Sequence, residues 1–271
     1  MNRILVPTDF SECANAAAEV AMRLAKQSGA EIHFLHLAVD MGSPSHVPGT
    51  PVQAGNGRMG VLRDNLDQLV KAAEADGIRA RHDLVMGTGH ERVPDYILPK
   101  KIDFLVMGSH GATGIREMVI GSKTRYVIRH VKVPTLVVKE MPENEGFGHI
   151  VFASSFKKDM TSQLRVVVSF SRLWGSRLHL LFINAQGHPI EGKVARLTMS
   201  RQMEGFPNID YTMNVIETND KEFGITRFST GIGADMIAVA MEDKGLLGRL
   251  FNPGVAERLI NRSALPVLVV R

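Results

Sequence analysis

Cysteine is nearly absent. The single residue, Cys13, excludes an intrachain disulfide framework and any zinc site built from several cysteines. Aromatic residues are scarce, at 6% of 271 residues with one Trp, which argues against base-stacking platforms for nucleic acid. No apolar run reaches the roughly 18 residues that a membrane-spanning helix needs. The opening, Met1 to Pro7, lacks the basic start, long apolar stretch and cleavage site of a signal peptide. Charge of one sign is lacking too. Residues 1–140 hold 17 Lys and Arg against 15 Asp and Glu, and residues 141–271 hold 15 against 13. With no basic arm, neither nucleic acid nor an anionic membrane is expected as a partner. A reducing, cytoplasmic location is the expectation.

What is present is a repeat. Ile4-Leu5-Val6-Pro7-Thr8-Asp9-Phe10 returns 146 positions later as Ile150-Val151-Phe152-Ala153-Ser154-Ser155-Phe156. The same offset carries Gly29 onto Gly175, His33 onto His179 and Leu35 onto Leu181. Further along the offset is 132, taking Asp103 to Asp235, Pro134 to Pro266 and Leu136-Val137-Val138 to Leu268-Val269-Val270. The second copy is thus 14 residues shorter, and the missing residues come from the segment Met41–Gly57, rich in Gly, Pro and Ser. Two domains follow, 1–140 and 147–271, joined by the polar linker 141–146.

Each copy alternates short apolar strands with helices. In the first, strands are expected at Arg3–Pro7, Glu31–Val39, Arg79–Met86, Asp103–Met107 and Val133–Val138. Helices are expected at Ser11–Ser28, Val61–Ala75, Glu91–Leu98 and Ser122–His130, with Gly29 closing the first. In the second, strands are expected at His149–Ala153, Arg177–Ile183, Tyr211–Ile216, Asp235–Ala240 and Leu265–Val270, with Lys221–Thr230 as the third crossover. The pattern specifies an α/β class, with a parallel sheet covered on both faces.

Ligands of doubly wound sheets bind beyond the strand C-termini, where the winding reverses. Two segments leave strands there. One is Pro7-Thr8-Asp9. The other runs from Gly108 through Gly111 to Gly121-Ser122-Lys123-Thr124 at a helix start. Glycines let backbone N–H groups approach an anion, and a helix N-terminus adds donors and a positive dipole end. The spacing is not that of a Walker A loop, because Ser122 separates Gly121 from Lys123, and no GxGxxG follows the first strand. Blander roles suit the same residues: Asp9 and Ser122 as helix caps, Cys13 as an inert buried thiol, His33 and His36 as packed or hydrogen-bonded histidines. His90 and His110 sit at strand ends within reach of the crevice, and no histidine has partners at zinc-ligand spacing.

Gly108, two residues, Gly111, nine residues, then Gly121-Ser122 resembles the nucleotide-binding pattern of the universal stress protein (UspA-type) family. The opening Ile4 to Ser11 and the ending Val133 to Val138 resemble that family's first and last strands. The whole chain resembles a tandem member, and the resemblance implies two Rossmann-like, doubly wound parallel five-stranded sheets of order 3-2-1-4-5. It implies that Pro7, Thr8 and Asp9 lie against a nucleoside and that Leu37 meets the adenine edge through its backbone. It places Met107 and Gly108 beside the ribose and phosphates, and Gly111, Gly121, Ser122, Lys123 and Thr124 where phosphates are held. The cofactor implied is ATP, with Mg or Mn. Family members pair through their last strands, so Val133–Val138 and Val267–Val270 are candidates to pair within one chain as a pseudo-dimer. A homodimer of whole chains is a further possibility.

The second copy departs from this pattern. Ser155 replaces Asp9, Ala240 replaces Gly108, Asp243 replaces Gly111, and Pro253-Gly254 replaces Gly121-Ser122. Glu242 and Asp243 would repel phosphate, and Pro253 lacks a backbone donor. The expected function is nucleotide-dependent sensing or adaptor action in a stress response, with the second domain a degenerate pairing partner and no catalysis assigned. Two other readings stand beside it: slow ATP hydrolysis or phosphate transfer, and a purely structural assembly module with a vestigial site.

Overall fold

The computed structural model describes residues 1–39, 54–87, 93–110, 120–156, 158–184, 190–241 and 253–271. Two compact units divide the chain. The first holds the described residues of 1–110 and 121–131; the second holds Ile120 and the described residues from 132 onward.

The first unit runs β1 (Arg3–Pro7), α1 (Glu12–Ser28), β2 (Glu31–Val39), α2 (Ala54–Ala75), β3 (Ala80–Gly87), α3 (Val93–Ile97), β4 (Phe104–Gly108) and α4 (Ser122–His130). Its strands are parallel in the order β3-β2-β1-β4. Every residue of β4 is buried, as a strand covered on both faces requires. Ser11 caps α1, its Oγ accepting from Ala14 N at 3.3 Å, and Gly29 closes the helix at φ 69°. Asp9 is therefore not the cap of α1; it accepts from Ser11 N in a turn of its own. The buried side of α1 is nearly all alanine (Ala14, Ala17, Ala18, Ala21 and Ala25) with Val20 and Leu24, so the helix lies close on the sheet. Cys13 is half-buried rather than enclosed. Helix α2 starts at Ala54, seven residues before the expected Val61.

The second unit runs β5 (Thr135–Val138), β6 (His149–Ser154), α5 (Thr161–Trp174), β7 (Arg177–Asn184), α6 (Gly192–Met203), β8 (Tyr211–Glu217), α7 (Lys221–Gly231), β9 (Met236–Ala240), α8 (Pro253–Arg262) and β10 (Val267–Val270). Parallel strands follow the order β8-β7-β6-β9-β10, which is 3-2-1-4-5 in the count of the second repeat. Strand β5 pairs antiparallel with β10, in the register Leu136 to Leu268, as expected of the two last strands. This pair covers the outer edge of β10, an apolar strand that would otherwise template association.

Local devices recur at the repeat offsets. Asp103 accepts from the backbone N–H groups of Asn2 and Arg3, and Asp235 accepts from His149 N at 2.8 Å. Phe10 and Phe156 both take left-handed backbone, at φ 63° and 49°, a strained choice for a side-chain-bearing residue. In each case the hydroxyl two residues earlier, Thr8 Oγ1 or Ser154 Oγ, accepts the N–H of the phenylalanine.

Candidate functional site

The crevice of the first unit forms where β1, β2 and β4 end. Thr8 N donates to Leu35 O at 2.9 Å, extending the ladder one residue past β1. The turn that follows leaves Pro7, Thr8 and Asp9 along one wall. Leu35, His36 and Leu37 line it from β2, Met107 and Gly108 from β4, and Lys123, Thr124 and Val127 from α4. Of the sequence-predicted residues, Pro7, Thr8, Asp9, Leu37, Met107, Gly108, Lys123 and Thr124 meet here. Gly121 and Ser122 sit just behind, at the start of α4, and Gly111 lies outside the described residues, as does His90.

Gly121 N donates to Ser109 O at 3.0 Å, and Thr124 Oγ1 donates to Gly108 O at 3.0 Å. These bonds tie β4 to the first turn of α4. The Gly121 N–H is thus committed, and Gly121 rather than Ser122 is the N-cap. The donors left for an anion are the N–H groups of Ser122, Lys123 and Thr124, which precede the first intrahelical bond, Arg125 N to Gly121 O. Gly108 has a second reason to be glycine. A Cβ there would stand 2.9 Å from the carbonyl carbon of Cys13 and 3.0 Å from Ala14 N, so its absence lets β4 end against α1.

Two histidines belong to the crevice. His36 is hydrogen-bonded, as expected, and also lines the wall: its Nδ1 lies 2.8 Å from Thr8 O, and Phe10 stacks on its ring at 4.9 Å. A carbonyl only accepts, so Nδ1 carries the proton, and Nε2 of the neutral ring is an acceptor. His110 has Nδ1 2.7 Å from the buried Ser109 hydroxyl, and its enclosed Nε2 has no hydrogen-bond partner among the described residues. The repeat offset could have flagged His36, because its counterpart in the second copy is Phe182, not histidine. Among the described residues no three His, Cys, Asp or Glu side chains converge as a metal site.

A model of the universal stress protein family matches residues 1–139 and again 146–271. The chain belongs to the universal stress protein family. Universal stress protein MJ0531 of Methanocaldococcus jannaschii is 30% identical over 148 residues, covering 53% of this chain and 84% of its own length. Universal stress protein YxiE of Bacillus subtilis is 27% identical over 146 residues, covering 51% and 99%. A universal stress protein from Archaeoglobus fulgidus matches 100% of this chain and 96% of its own with a TM-score of 0.77. At 23% identity that last likeness speaks to the fold.

The second universal stress repeat fills the matching strand ends with rings. Phe156 is 1% exposed, meets Phe152 edge-on at 5.6 Å and lies parallel to Phe182 at 6.4 Å. Phe182 stands where the first repeat has His36. Ala240 stands where it has Gly108, and Glu242 and Asp243 lie outside the described residues.

Proposed function

We propose that the first repeat binds an adenine nucleotide, ATP with Mg or Mn, and that the protein acts as a nucleotide-dependent sensor or adaptor in a stress response. The observation that carries this reading is the convergence of the two predicted segments on one crevice. The residues present suit the ligand. The edges of Leu35 to Leu37 and the Pro7–Asp9 turn offer a slot for a base and sugar. The Lys123 ammonium and the open N–H groups of α4 suit phosphates. His110 Nε2 is an enclosed polar atom with no hydrogen-bond partner among the described residues, and a ligand oxygen suits it. A divalent ion would rest mainly on phosphate oxygens and water, with Asp9 the one carboxylate of the wall among the described residues. The second repeat, with Phe182 in place of His36, Phe152 in place of Val6 and Ala240 in place of Gly108, is a degenerate partner that keeps the fold.

Calorimetric titration of the purified chain with ATP and Mg tests this. Saturable binding is expected. Gly121→Val should abolish it by placing a branched side chain at the neck of the phosphate loop. His110→Ala should weaken it by about tenfold, on the order of one hydrogen bond. Absence of binding at millimolar ATP overturns the proposal.

A further inference from the structure

A cavity of about 630 Å³ lies in the second unit, unrelated to the strand ends that form a nucleotide crevice. One wall is α5, from Thr161 to Arg172, a length of about 16 Å at 1.5 Å per residue. The other is the last turn of α6 with the residues after it, 201–207. Both ends are pinned. At one, Gln202 Oε1 accepts from Met160 N at 3.0 Å and its Nε2 donates to Lys158 O at 2.8 Å. At the other, Arg172 Nη2 donates to Pro207 O at 3.1 Å.

Arg165, between the pins on α5, and Arg201, beside Gln202, complete the basic lining. Neither guanidinium has a hydrogen-bond or ion-pair partner among the described residues. Arg165 and Arg172 are seven positions apart and so share a face of α5. The one carboxylate of the lining, Asp159, is engaged at the start of α5 by Thr161 N at 2.9 Å and Thr161 Oγ1 at 2.5 Å. Three arginines against one aspartate leave the slot at +2. Phe206 and Pro207 add an apolar floor.

The repeat shows that the positive charge at position 165 is particular to the second copy. Position 165 corresponds to Glu19 of α1, where the glutamate pairs with Arg23 at 3.7 Å. Helix α5 has no acidic residue at all along Thr161–Trp174. Arg172 keeps the sign of its counterpart Lys26, whereas Arg165 reverses the sign of Glu19.

We infer that this slot is a second ligand site, taking a small organic anion that carries phosphate groups. Pinned ends suit a compact molecule better than a chain passing through. Guanidinium forks match phosphate oxygens two at a time and stay charged at every physiological pH. The volume falls within the range of small-molecule pockets, about 300–1,000 Å³. This inference is independent of nucleotide binding in the first repeat.

Tripolyphosphate is a suitable probe, titrated calorimetrically into the full chain at low salt. The Gly121→Val chain is used to remove the first crevice from the signal. Saturable binding of the probe to that chain is expected. Adding Arg165→Ala and Arg201→Ala should weaken it at least tenfold, while Lys at both positions should retain an intermediate affinity. Lys193→Ala, a cation on α6 outside the slot, should change nothing. The three positions are exposed, so the variants should fold, which circular dichroism checks. The inference is overturned if the Gly121→Val chain does not bind the probe, if removal of both arginines leaves binding intact, or if Lys193→Ala weakens it equally.

Discussion

A single missing methyl group links the candidate site to the core. Gly108 ends β4, lines the crevice and lies against the first turn of α1 with no room for a Cβ. Gly108→Ala should therefore destabilise the chain by about 1–3 kcal/mol through overpacking, measured by denaturant unfolding. Its counterpart Ala240 tolerates a Cβ, so Ala240→Gly should lack any comparable gain. Spacing alone marked Gly108 as a phosphate glycine; it could not show the packing role, which depends on how near α1 approaches. The same limit applied to Asp9. Its place just before the helix suited a cap, yet Ser11 takes the cap and leaves Asp9 on the crevice wall. His36 was hidden by strand period, which groups it with Ile32 and Phe34. Its place beside Leu37 at the strand end decides its position.

At the scale of elements, most boundaries were legible because apolar runs and glycine caps bound them sharply. Strands β1 and β2 and helix α4 coincide with expectation end to end. Helix α2 was cut short because Gly55, Gly57 and Gly60 break the apolar period and each disfavours helix by about 1 kcal/mol. The last strand of the first copy begins at Thr135, just past Pro134, whose ring denies the ladder a donor. The repeated aspartate device is the element feature most open to test. Asp103 fastens the start of β1 to β4, and Asp235 fastens β6 to β9. Asp103→Ala and Asp235→Ala should each cost about 1–3 kcal/mol, because backbone N–H groups lose their acceptors. The two losses should add, as the sites share no partners. Chemical denaturation of the single and double variants measures this.

For the molecule as a whole, acid should be destabilising well above the carboxylate range. His33 and His179 occupy matching positions, and both have pKa values held below the usual histidine range. For His33 the main cause is burial, followed by the charge of Arg81, with Glu31 opposing. For His179 it is burial, then the charges of His149 and Arg177, with Asp210 opposing. In the unfolded chain both return to about 6.5. The unfolded state then binds protons that the folded state refuses, so stability is full above about pH 6.5 and declines as pH falls through and below it. Thermal unfolding between pH 7.5 and 5.5 should show a falling midpoint, with a shallower slope for His179→Gln; a flat profile for the wild type contradicts the assignment. The pairing of β5 with β10 carries a different kind of consequence, one of timing. Residues 135–138 leave the ribosome more than a hundred residues before their antiparallel partner at 267–270. Until residues 267–270 are made, an apolar strand edge waits without that partner. In that interval the edge is open to association with other chains, and a chain stopped before Val267 lacks the strand that covers it.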